Sequence, residues 1–421
     1  MSDAKPLVAI AQGSSAYGSL TALDAEIARV LPELGCEPLF LPLSEPVWAE
    51  RMTKVLKERG PSAILCGIGC NGIGIEIGDD LPTGNMWHRL GIPFVSWLGD
   101  SPAYFQHRHR HPSPWIIRAY TCPDFLDYHT TYLREPGRNA VVDFGVMSFG
   151  QPPQPRARGG KPMILAPKSY RDPAVVRQSW VAWPTLMRQV LENASQTILK
   201  AANPAFWPEH GIAGAVVHAA HESGLALEYD KPLLALLAAQ VDDYTRRESM
   251  DQALRQLADF PVIIYGSNLD SLKASLPRSP RADFRGAIEY KDLTNLYHQA
   301  DVIFSVNPNT QDGAHDRVWS AFGCGALPVS NRIRYMESLG PELAPYLVDL
   351  EGGQGLGDVL DHVLSQPDQA RDVGWALSER MRAARPFVNA VGELLELARV
   401  TRLLQGPTVF AQDYFVKDLQ P

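Results

Sequence analysis

Short apolar runs alternate with amphipathic stretches over the first 150 residues. We interpret five of these runs as strands, at residues 7–11, 38–43, 63–68, 92–98 and 139–146. The stretch 20–34 places apolar residues at helical spacing and stops at Gly35, a residue type that commonly ends helices. Strands that alternate with helices are typical of a parallel sheet covered on both faces. This half of the chain is therefore predicted to be α/β.

The pattern changes after a proline-rich segment at residues 151–162. Residues 174–258 have helical periodicity without strand-like runs. We interpret them as a helical segment between two α/β units, or as an elaboration of the edge of the second unit. Strands and helices alternate again from residue 261. The predicted fold is α/β, with Rossmann-like domains facing a cleft where ligands bind. The predicted segments are 1–160, the helical connection 161–255, 256–390, and a final helix and tail at 391–421.

The composition is that of an ordinary globular protein, since 45% of the 421 residues are hydrophobic and 20% are charged. The formal net charge of −8 argues against general nucleic-acid binding, which needs a basic surface. No apolar stretch approaches the roughly 18 residues that span a bilayer, and the N-terminus lacks the apolar core of a signal peptide. We therefore expect a cytoplasmic protein without a transmembrane segment. Its five dispersed cysteines do not indicate a disulfide framework.

The stretch from Asp301 to Asn331 carries the most chemical information. It combines a strand, a polar loop, a short helix, a glycine turn and a second strand. The loop and the helix start hold the polar residues considered for this site: Asn307, Asn309, Asp312, His315, Asp316 and Arg317. A helix N-terminus presents unpaired N–H groups and the positive end of the peptide dipole, which suits a phosphate. The histidine and the arginine would add charge-assisted contacts to the same anion. An ordinary crossover with a polar loop is the alternative.

This stretch resembles the C-terminal domain of GT-B glycosyltransferases, and among them the group related to the CgeB-type spore proteins. That group has a histidine, an arginine two or three residues later, and a small-residue segment before a strand. The matching residues here are His315, Arg317 and Gly323-Cys324-Gly325-Ala326, preceded by Gly286, Tyr290, Leu296-Tyr297 and Ala300-Asp301. The run 92–102, which contains Asp100-Ser101-Pro102, resembles the corresponding strand of the first domain.

The resemblance implies transfer of a sugar from a nucleotide donor, with 1–160 as the acceptor domain and 256–390 as the donor domain. The donor diphosphate would lie at the helix start near Asp316, and the base would lie against Gly266, Ser267 and Tyr290. A UDP-, GDP- or TDP-sugar would enter as substrate, and neither a bound cofactor nor a metal is expected. By analogy with this architecture, the final helix and tail are expected to cross back to the first domain.

One position departs from the family pattern. GT-B enzymes often carry two acidic residues eight positions apart, and the second holds the ribose hydroxyls. That spacing falls here on Asp312 and Ser320. Asp312 keeps the acid and is a catalytic candidate. Ser320 lacks the reach and the paired acceptors of a carboxylate, so ribose recognition is expected to differ or the site to be weakened.

The acceptor is expected near the loop Gly13-Ser14-Ser15 and near His107 in the first domain. For an inverting reaction, a base within hydrogen-bond reach must take the proton of the acceptor hydroxyl. Asp100 is the first candidate because it ends a strand. A retaining enzyme needs no such base there, and the sequence leaves the two courses open.

Three other patterns in this domain have competing interpretations. The run 107–111, in which histidine and arginine alternate, has three possible interpretations: a metal site, an anion contact or a solvated loop. Metal sites usually need a further fixed carboxylate or thiolate. The loop 67–72 looks like a dinucleotide fingerprint, but the expected acidic residue about 20 positions later does not end a second strand. We therefore interpret this loop as a place where an acceptor approaches the backbone closely, and not as an NAD-binding loop. The tryptophans are assigned to the core in preference to sugar stacking: Trp87, Trp97 and Trp115.

Two other functions remain open on the sequence. A nucleotide-sugar epimerase also uses facing Rossmann-like domains, but no acid and base pair for it stands out. A non-catalytic nucleotide-sugar-binding or structural protein of the same fold is kept open by Ser320. The acceptor itself is a glycan, a lipid-linked glycan or a protein.

Overall fold

The computed structural model describes residues 4–78, 84–201, 207–307, 309–350 and 354–405. The chain divides into two compact units. Unit 1 consists of Met1–Gly145 and Arg385–Pro421, and unit 2 consists of Val146–Ala384. Each unit is built on its own six-stranded sheet. The α/β fold class predicted from the sequence is confirmed.

The sheet of unit 1 is entirely parallel. Its strands are β1 (Leu7–Gln12), β2 (Glu37–Pro42), β3 (Ile64–Cys70), β4 (Phe94–Leu98), β5 (Ile116–Tyr120) and β6 (Arg138–Val141). They lie in the order β2-β1-β3-β4-β5-β6. The chain leaves β1 first toward β2 and then toward β3, so the strand order reverses between β1 and β3. The sequence pattern predicted every strand of this sheet except β5.

The connections of unit 1 contain five helices: α1 (Ser19–Val30), α2 (Val47–Arg59), α3 (Met86–Leu90), α4 (Gln106–His109) and α5 (Pro123–Tyr128). The apolar faces of the helices and of the sheet form a core in which Trp87 stacks on Phe94, with ring centroids 4.8 Å apart. Trp97 and Trp115 are also buried. These three tryptophans pack in the core, as the sequence interpretation preferred.

The sheet of unit 2 is also parallel. Its strands are β7 (Ile164–Pro167), β8 (Ile263–Tyr265), β9 (Asp283–Arg285), β10 (Val302–Ser305), β11 (Leu327–Asn331) and β12 (Leu347–Val348). They lie in the order β12-β11-β10-β7-β8-β9. This is the strand order of a Rossmann fold, and it reverses between β7 and β10.

Unit 2 has more helices than unit 1. They are α6 (Pro173–Ser179), α7 (Thr185–Lys200), α8 (Gly211–Glu222), α9 (Lys231–Leu257), α10 (Leu269–Ala274), α11 (Tyr290–Tyr297), α12 (Asp316–Cys324), α13 (Arg334–Ser338), α14 (Leu356–Ser365) and α15 (Pro367–Ala384). Helices α6 to α9 all lie between β7 and β8, which pair directly in parallel. Residues 161–255 are therefore mostly one long crossover within unit 2.

The division of the chain differs from the predicted bounds. Unit 2 begins at Val146, and β7, which comes from the predicted helical connection, lies in the middle of its sheet. The apolar run of β7 is only four residues long and ends in proline, so it is too short to stand out by periodicity. The helical segment belongs to the second unit, which is the alternative that the sequence had left open.

The last described helix, α16 (Phe387–Gln405), is part of unit 1. The Phe387 ring lies 5.9 Å from the Trp97 ring, and the Arg402 guanidinium donates to the carbonyl oxygen of Leu65 at 3.2 Å. The remainder of the predicted tail, residues 406–421, lies outside the described residues. No helix in the described ranges has the length and apolar character that a bilayer span requires.

Candidate functional site

The carboxyl ends of β7 and β10 meet at the point where the strand order of unit 2 reverses. Lys168 directly follows β7, and the loop from Val306 to His315 follows β10 and leads into α12. Ligands of open α/β sheets bind outside the carboxyl ends of the strands at such a reversal. The loop and helix start singled out in the sequence therefore lie at the favoured ligand position of this sheet.

Helix α12 begins with a histidine cap. The His315 Nδ1 accepts a hydrogen bond from the backbone N–H of Arg317 at 3.3 Å. Val318, Trp319 and Phe322 are buried and fix the helix on the sheet, and Gly325 ends it in a left-handed conformation with φ of 75°. The remaining N–H groups of the first turn and the peptide dipole make this end of the helix favourable for an anion.

His315 and Asp316 form a close pair at this helix start. The His315 ring lies against the Asp316 carboxylate, and the Arg317 guanidinium lies 3.4 Å from the ring nitrogen Nε2. Burial lowers the pKa of His315, which favours the neutral ring that the cap requires. Burial alone would raise the pKa of Asp316, but His315 and Arg317 outweigh it and hold that pKa below its ordinary value. The carboxylate is therefore charged.

Lys168 adds an amine to this group. Burial, together with the positive charges of Arg317, Arg246 and Arg171, holds the pKa of Lys168 well below its ordinary value, and Asp316 opposes the shift. Within the described ranges, the Lys168 amine makes no hydrogen bond or ion pair. We call Lys168, Arg171, Arg246, Arg317 and His315 the cationic cluster. Such a group of basic side chains in a protein of net charge −8 is a chemical match for a diphosphate.

Two arginines of the cationic cluster come from outside the α12 region. Arg246 lies on α9 and pairs with the buried Asp242, while Arg171 lies just before α6 and pairs with Asp243 at 3.1 Å. Sequence reasoning did not identify Lys168, Arg171 or Arg246. For Lys168 and Arg171 the sequence did contain a usable pattern, the run Lys-Ser-Tyr-Arg directly after an apolar stretch. Arg246 joins the group only through the fold.

Tyr290 and Ser320 are brought together beside Asp316. Ser320 Oγ donates to the backbone carbonyl of Asp316 at 2.9 Å, and Tyr290 lies beside Ser320. Ser320 is fully buried, and burial raises the pKa of the Tyr290 phenol well above its ordinary value. A tyrosine and a serine thus occupy the place where the family pattern has a carboxylate.

Three predicted residues of the β10 loop are engaged within the protein. The Asn309 amide donates to Asp242 Oδ1 at 2.7 Å, and its oxygen accepts from Thr245. The backbone N–H of Asn307 donates to the Asn331 side chain at 2.7 Å. The carboxylate predicted to be catalytic, Asp312, accepts two hydrogen bonds from the Arg334 guanidinium, at 2.8 and 2.5 Å. These contacts hold the loop against α9, β11 and α13, and they give these residues a supporting role.

Gly266 and Ser267 lie where β8 ends, next to the segment that follows β7. A Cβ at position 266 would overlap with the carbonyl of Lys168, so glycine is required for this close approach. The backbone N–H of Ser267 donates to Ser169 Oγ at 3.0 Å. The two predicted donor residues therefore position the backbone that carries Lys168.

The corresponding edge of unit 1 collects the predicted acceptor residues. Gly13 follows β1 and packs against Ile73, in the loop after β3. Asp100 follows β4, and its Oδ2 accepts from the Asn71 amide at 2.9 Å. Ser14 is exposed. The predicted residues thus share one edge of the sheet with a glycine-rich loop, at the place where the strand order reverses.

Ser15 has a structural role at this edge. Its Oγ accepts a hydrogen bond from the backbone N–H of Leu20 at 3.0 Å and lies 3.1 Å from Ser19 Oγ. The Ser15 hydroxyl therefore supports the start of α1. This contact is compatible with a position beside a ligand but does not itself indicate one.

The run 107–111 is held by partners on both sides. His107 contacts Glu76, and Arg108 Nε donates to the same carboxylate at 3.0 Å. Arg110 pairs with Glu135 at 3.0 Å. An open groove of about 660 Å³ lies here, lined by Ile75, Glu76, Gln106, His107, Arg110, His111 and Pro112. Hydrogen-bonding side chains with two apolar ones are suited to a hydroxylated ligand.

The member of this run that lies in the core is His109. Its Nδ1 lies 3.0 Å from the Tyr120 hydroxyl, which also lies 3.0 Å from His129 Nδ1. Burial lowers the pKa of His109 to about 3, so its ring is neutral. Among the described residues, no three His, Cys, Asp or Glu side chains are grouped as a metal site would need. The run comprises the end of α4 and the residues that follow it, with His109 in the core and its neighbours along the groove.

Comparison with known proteins agrees with this geometry. Residues 246–396 match the family model of glycosyl transferase-like proteins. No curated protein matches the sequence. Among solved structures, the chain is similar to sucrose-phosphate synthase from Thermosynechococcus elongatus, with a TM-score of 0.52 and 11% identity over 95% of this chain and 100% of that one.

Two further structures have the same architecture. A glycosyltransferase from Rickettsia africae matches with a TM-score of 0.50 and 11% identity, over 94% of this chain and 98% of that one. A DNA-modifying β-glucosyltransferase, whose substrate is uridine diphosphoglucose, matches with a TM-score of 0.50 and 11% identity, over 94% and 99% of the two chains. At this identity the likeness shows the fold. The protein has the GT-B fold of glycosyltransferases, and its residues 246–396 match the glycosyl transferase-like family model.

Proposed function

We propose that this protein transfers a sugar from a nucleoside-diphosphate donor to a hydroxyl group of an acceptor. The observation that carries the proposal is the cationic cluster at the strand reversal of unit 2, in which Lys168 and Arg317 make no ion pair with a carboxylate among the described residues. The family match over residues 246–396 and the use of uridine diphosphoglucose by a protein of the same fold support it.

The donor diphosphate would bind at the start of α12. Lys168, Arg317 and the free N–H groups of the first turn would receive its oxygens, with Arg246 and Arg171 further out. This positive charge also stabilises the negative charge that develops on the departing diphosphate, so no metal is needed for that step. The nucleoside would extend toward Gly266 and Tyr290, without the carboxylate that usually holds its ribose.

The acceptor is proposed to bind at the edge of unit 1, near Gly13 and the groove beside His107. Asp100 is the proposed general base of an inverting reaction, since its carboxylate is partly exposed at this edge and oriented by Asn71. Glycans, lipid-linked glycans and protein side chains all offer the hydroxyl group that the reaction needs. We also propose that the protein belongs to the group related to the CgeB-type spore proteins.

A thermal-shift screen tests the donor site without knowledge of the acceptor. Purified protein is heated with UDP, GDP, TDP and CMP and with their sugar conjugates, with NAD as a comparison. A ligand that binds only the native state raises the midpoint of unfolding. We expect one nucleoside diphosphate and its sugar to raise it, and Arg317→Ala to abolish the rise. Arg278→Ala, which breaks an exposed ion pair with Asp259, is the matched control that should retain it.

Turnover then separates an enzyme from a binding protein. Release of the nucleoside diphosphate from the conjugate that gave the shift, with and without added sugars, indicates transfer or hydrolysis. A clear shift without release would favour the non-catalytic alternative, which the serine at position 320 keeps open. Absence of any shift, or a response to NAD alone, would contradict the proposal.

A further inference from the structure

Phe105 is exposed at a position where the backbone does not favour an aromatic residue. It lies after β4 and directly before α4, with φ of 50°, and its side chain is 48% exposed. Among the phenylalanines that the structure describes, it is the one that is exposed. A left-handed conformation favours glycine or asparagine, and an exposed ring gains little from burial. Neither the backbone nor the core therefore explains the ring.

Arg108 supports the Phe105 ring from one side. Its guanidinium carbon lies 4.6 Å from the centre of the ring. The same guanidinium donates to the Asn71 carbonyl at 2.8 Å and to the Glu76 carboxylate at 3.0 Å, and the Arg108 side chain is largely buried. The ring therefore rests on a side chain that two hydrogen bonds hold in place, while much of the ring remains open to solvent.

The groove of unit 1 adjoins this ring. Gln106 and His107 follow Phe105 in the chain and line the groove, together with Glu76 and other residues. Because Arg108 contacts both the ring and Glu76, the two parts of the surface are next to each other. The amide, imidazole and carboxylate groups offer hydrogen-bond donors and acceptors. The groove volume of about 660 Å³ lies within the usual range for small-molecule sites.

A second exposed aromatic residue lies at the same edge of the sheet. Tyr17 follows β1, has φ of 66° and is 40% exposed. Strands β1 and β4 flank β3, so Tyr17 and Phe105 follow the strands on either side of it. In the described part of unit 1, no other Phe, Tyr or Trp is exposed. Single apolar side chains on a surface are ordinary, but two at the ligand-binding edge of one sheet indicate a binding surface.

A sugar matches both parts of this surface. The C–H groups on one face of a pyranose pack on an aromatic ring, and its hydroxyl groups both donate and accept hydrogen bonds. A lipid chain would match the ring but would cover the polar groups of the groove without pairing them, which is unfavourable. The basic side chains of the groove already have carboxylate partners, so an uncharged saccharide is favoured over an anion.

We propose that Phe105 and the groove bind a saccharide of the acceptor, with one sugar ring stacked on Phe105 and hydroxyl groups hydrogen-bonded to Glu76, Gln106 and His107. The inference rests on the proposed function and narrows the acceptor to an uncharged glycan, either free or lipid-linked. A protein side chain that carries no sugar does not fit this surface.

Saturation-transfer difference NMR detects weak saccharide binding to the whole chain without any donor. The probes are glucose, galactose, mannose and N-acetylglucosamine, together with maltotriose, cellotriose and chitotriose. We expect at least one probe to receive saturation from the aromatic resonances of the protein, with the largest effect on the C–H protons of one sugar ring. Absence of a signal from every probe would overturn the inference.

Variants locate the binding surface. Phe105→Gly removes the ring at a backbone position that glycine favours, so the fold should be retained. We expect this variant to bind the responding probe about tenfold more weakly, and Phe105→Tyr to retain most of the wild-type affinity. The matched control is Tyr229→Ala, which removes an exposed aromatic side chain from unit 2 and should leave binding unchanged.

A variant of the groove gives a test that leaves the aromatic ring in place. His107→Ala removes one of the proposed hydrogen-bonding groups, so it should weaken binding several-fold. Wild-type affinity in both Phe105→Gly and His107→Ala would place the saccharide elsewhere and overturn the inference.

Dodecyl maltoside below its critical micelle concentration separates the two sources of the sugar. Affinity equal to that of maltose would indicate a free glycan, and higher affinity would indicate a lipid-linked one. Both results support the inference if Phe105→Gly weakens them. Binding of dodecyl maltoside without a signal from any unsubstituted sugar would show recognition of the alkyl chain and would contradict the inference.

The thermal-shift screen with nucleotide sugars, run on the same protein, distinguishes the two possible failures. A response to a donor without saccharide binding would refute this inference and leave the proposed sugar transfer intact. Saccharide binding without a response to any donor would refute the proposed transfer and leave the groove as a saccharide site.

Discussion

The carboxyl edges of the two sheets balance their charges differently. At the edge of unit 1, Arg108 and His107 share Glu76, and Arg110 pairs with Glu135. At the edge of unit 2, Lys168 makes no ion pair among the described residues, and Arg317 faces the His315 ring. At the first edge the basic side chains named here have carboxylate partners, and at the second edge Lys168 and Arg317 have none among the described residues.

This difference suits two kinds of ligand. An edge with paired side chains offers hydrogen bonds to a hydroxylated molecule without strong selection for charge. An edge with unpaired cations attracts an anion and is relieved of repulsion when the anion binds. The contrast supports the assignment of the acceptor to unit 1 and of the donor diphosphate to unit 2.

Reversal of one charge at the second edge should have the largest effect on ligand binding. Lys168→Glu replaces the unpaired amine with a carboxylate next to the diphosphate position, so we expect nucleotide-sugar affinity to fall by about 100-fold or more. Titration calorimetry with the conjugate found in the thermal-shift screen measures the change. A loss of less than about threefold would place the diphosphate elsewhere.

The matched variant at the first edge is Arg108→Ala. This guanidinium donates to Glu76 and to the carbonyl of Asn71 at 2.8 Å, so its removal disturbs the loop of unit 1 but not the cationic cluster. Donor affinity should remain within about twofold of wild type. A large loss of donor affinity in Arg108→Ala would remove the functional distinction between the two edges.

In the described part of unit 1, Asp24 is an acidic residue without a cationic partner, and it is buried on α1 beside Cys70. Burial raises its pKa to about 7, although the neighbouring Cys70 thiol opposes the shift. In the unfolded chain this carboxyl has its ordinary pKa of about 3.8, so the folded state holds the extra proton between about pH 4 and pH 7. Wild-type stability therefore falls as the pH rises through this window.

Asp24→Asn should remove this penalty. At pH 8 the variant should be more stable than wild type by on the order of 3 kcal/mol, and the advantage should disappear near pH 4. Chemical denaturation across this pH range measures the difference in free energy of unfolding. Cys70→Ala should retain the wild-type pH dependence, because burial is the main cause. An Asn variant that is equally stable at all pH values would show that Asp24 is ionised in the folded protein.

Ser320→Glu tests the altered ribose position. The site is fully buried, and a carboxylate there would lie close to the charged Asp316. We expect a loss of about 2 kcal/mol in stability and weaker donor binding. Thermal unfolding with and without the donor measures both effects. An increase in donor turnover would instead show that the natural serine had weakened an ordinary site.

Salt should have a moderate effect on donor binding. An exposed charge contact weakens within a Debye length of about 10 Å at 0.1 M ionic strength, whereas buried charges are screened less. Donor affinity should therefore fall only several-fold between about 0.05 and 0.5 M sodium chloride. Affinity that is independent of salt would indicate that the nucleoside and sugar, rather than the diphosphate, provide most of the binding energy.

Sequence patterns predicted the parts of this protein that depend on neighbours in the chain. The stretch from Asp301 to Asn331 identified a strand, a loop and a helix start because all three follow one another directly. The four-residue strand β7 was too short to be predicted, and Lys168 was overlooked with it. Arg246 lies on α9, 78 positions after Lys168 in the chain, and no local sequence pattern predicts that the two residues belong to one cluster.

The side chains of the β10 loop have partners within the protein that its sequence did not predict. Asn309 and Asp312 are polar residues in a loop before a helix, as ligand-binding residues often are. The structure shows their side chains bonded to Asp242 and Arg334. A polar residue that supports a loop and one that contacts a ligand have the same sequence signature. Only the fold distinguishes them.

The return of α16 to unit 1 has a consequence for how the chain is made. Residues that complete the first unit, including Phe387 against Trp97, are synthesised only after the whole of unit 2. During synthesis, the N-terminal sheet therefore keeps part of its apolar surface uncovered until α16 has been made. By that time the whole sequence of unit 2 has already been synthesised. We expect unit 2 to finish folding first and the N-terminal part to be the segment that depends on chaperones during synthesis.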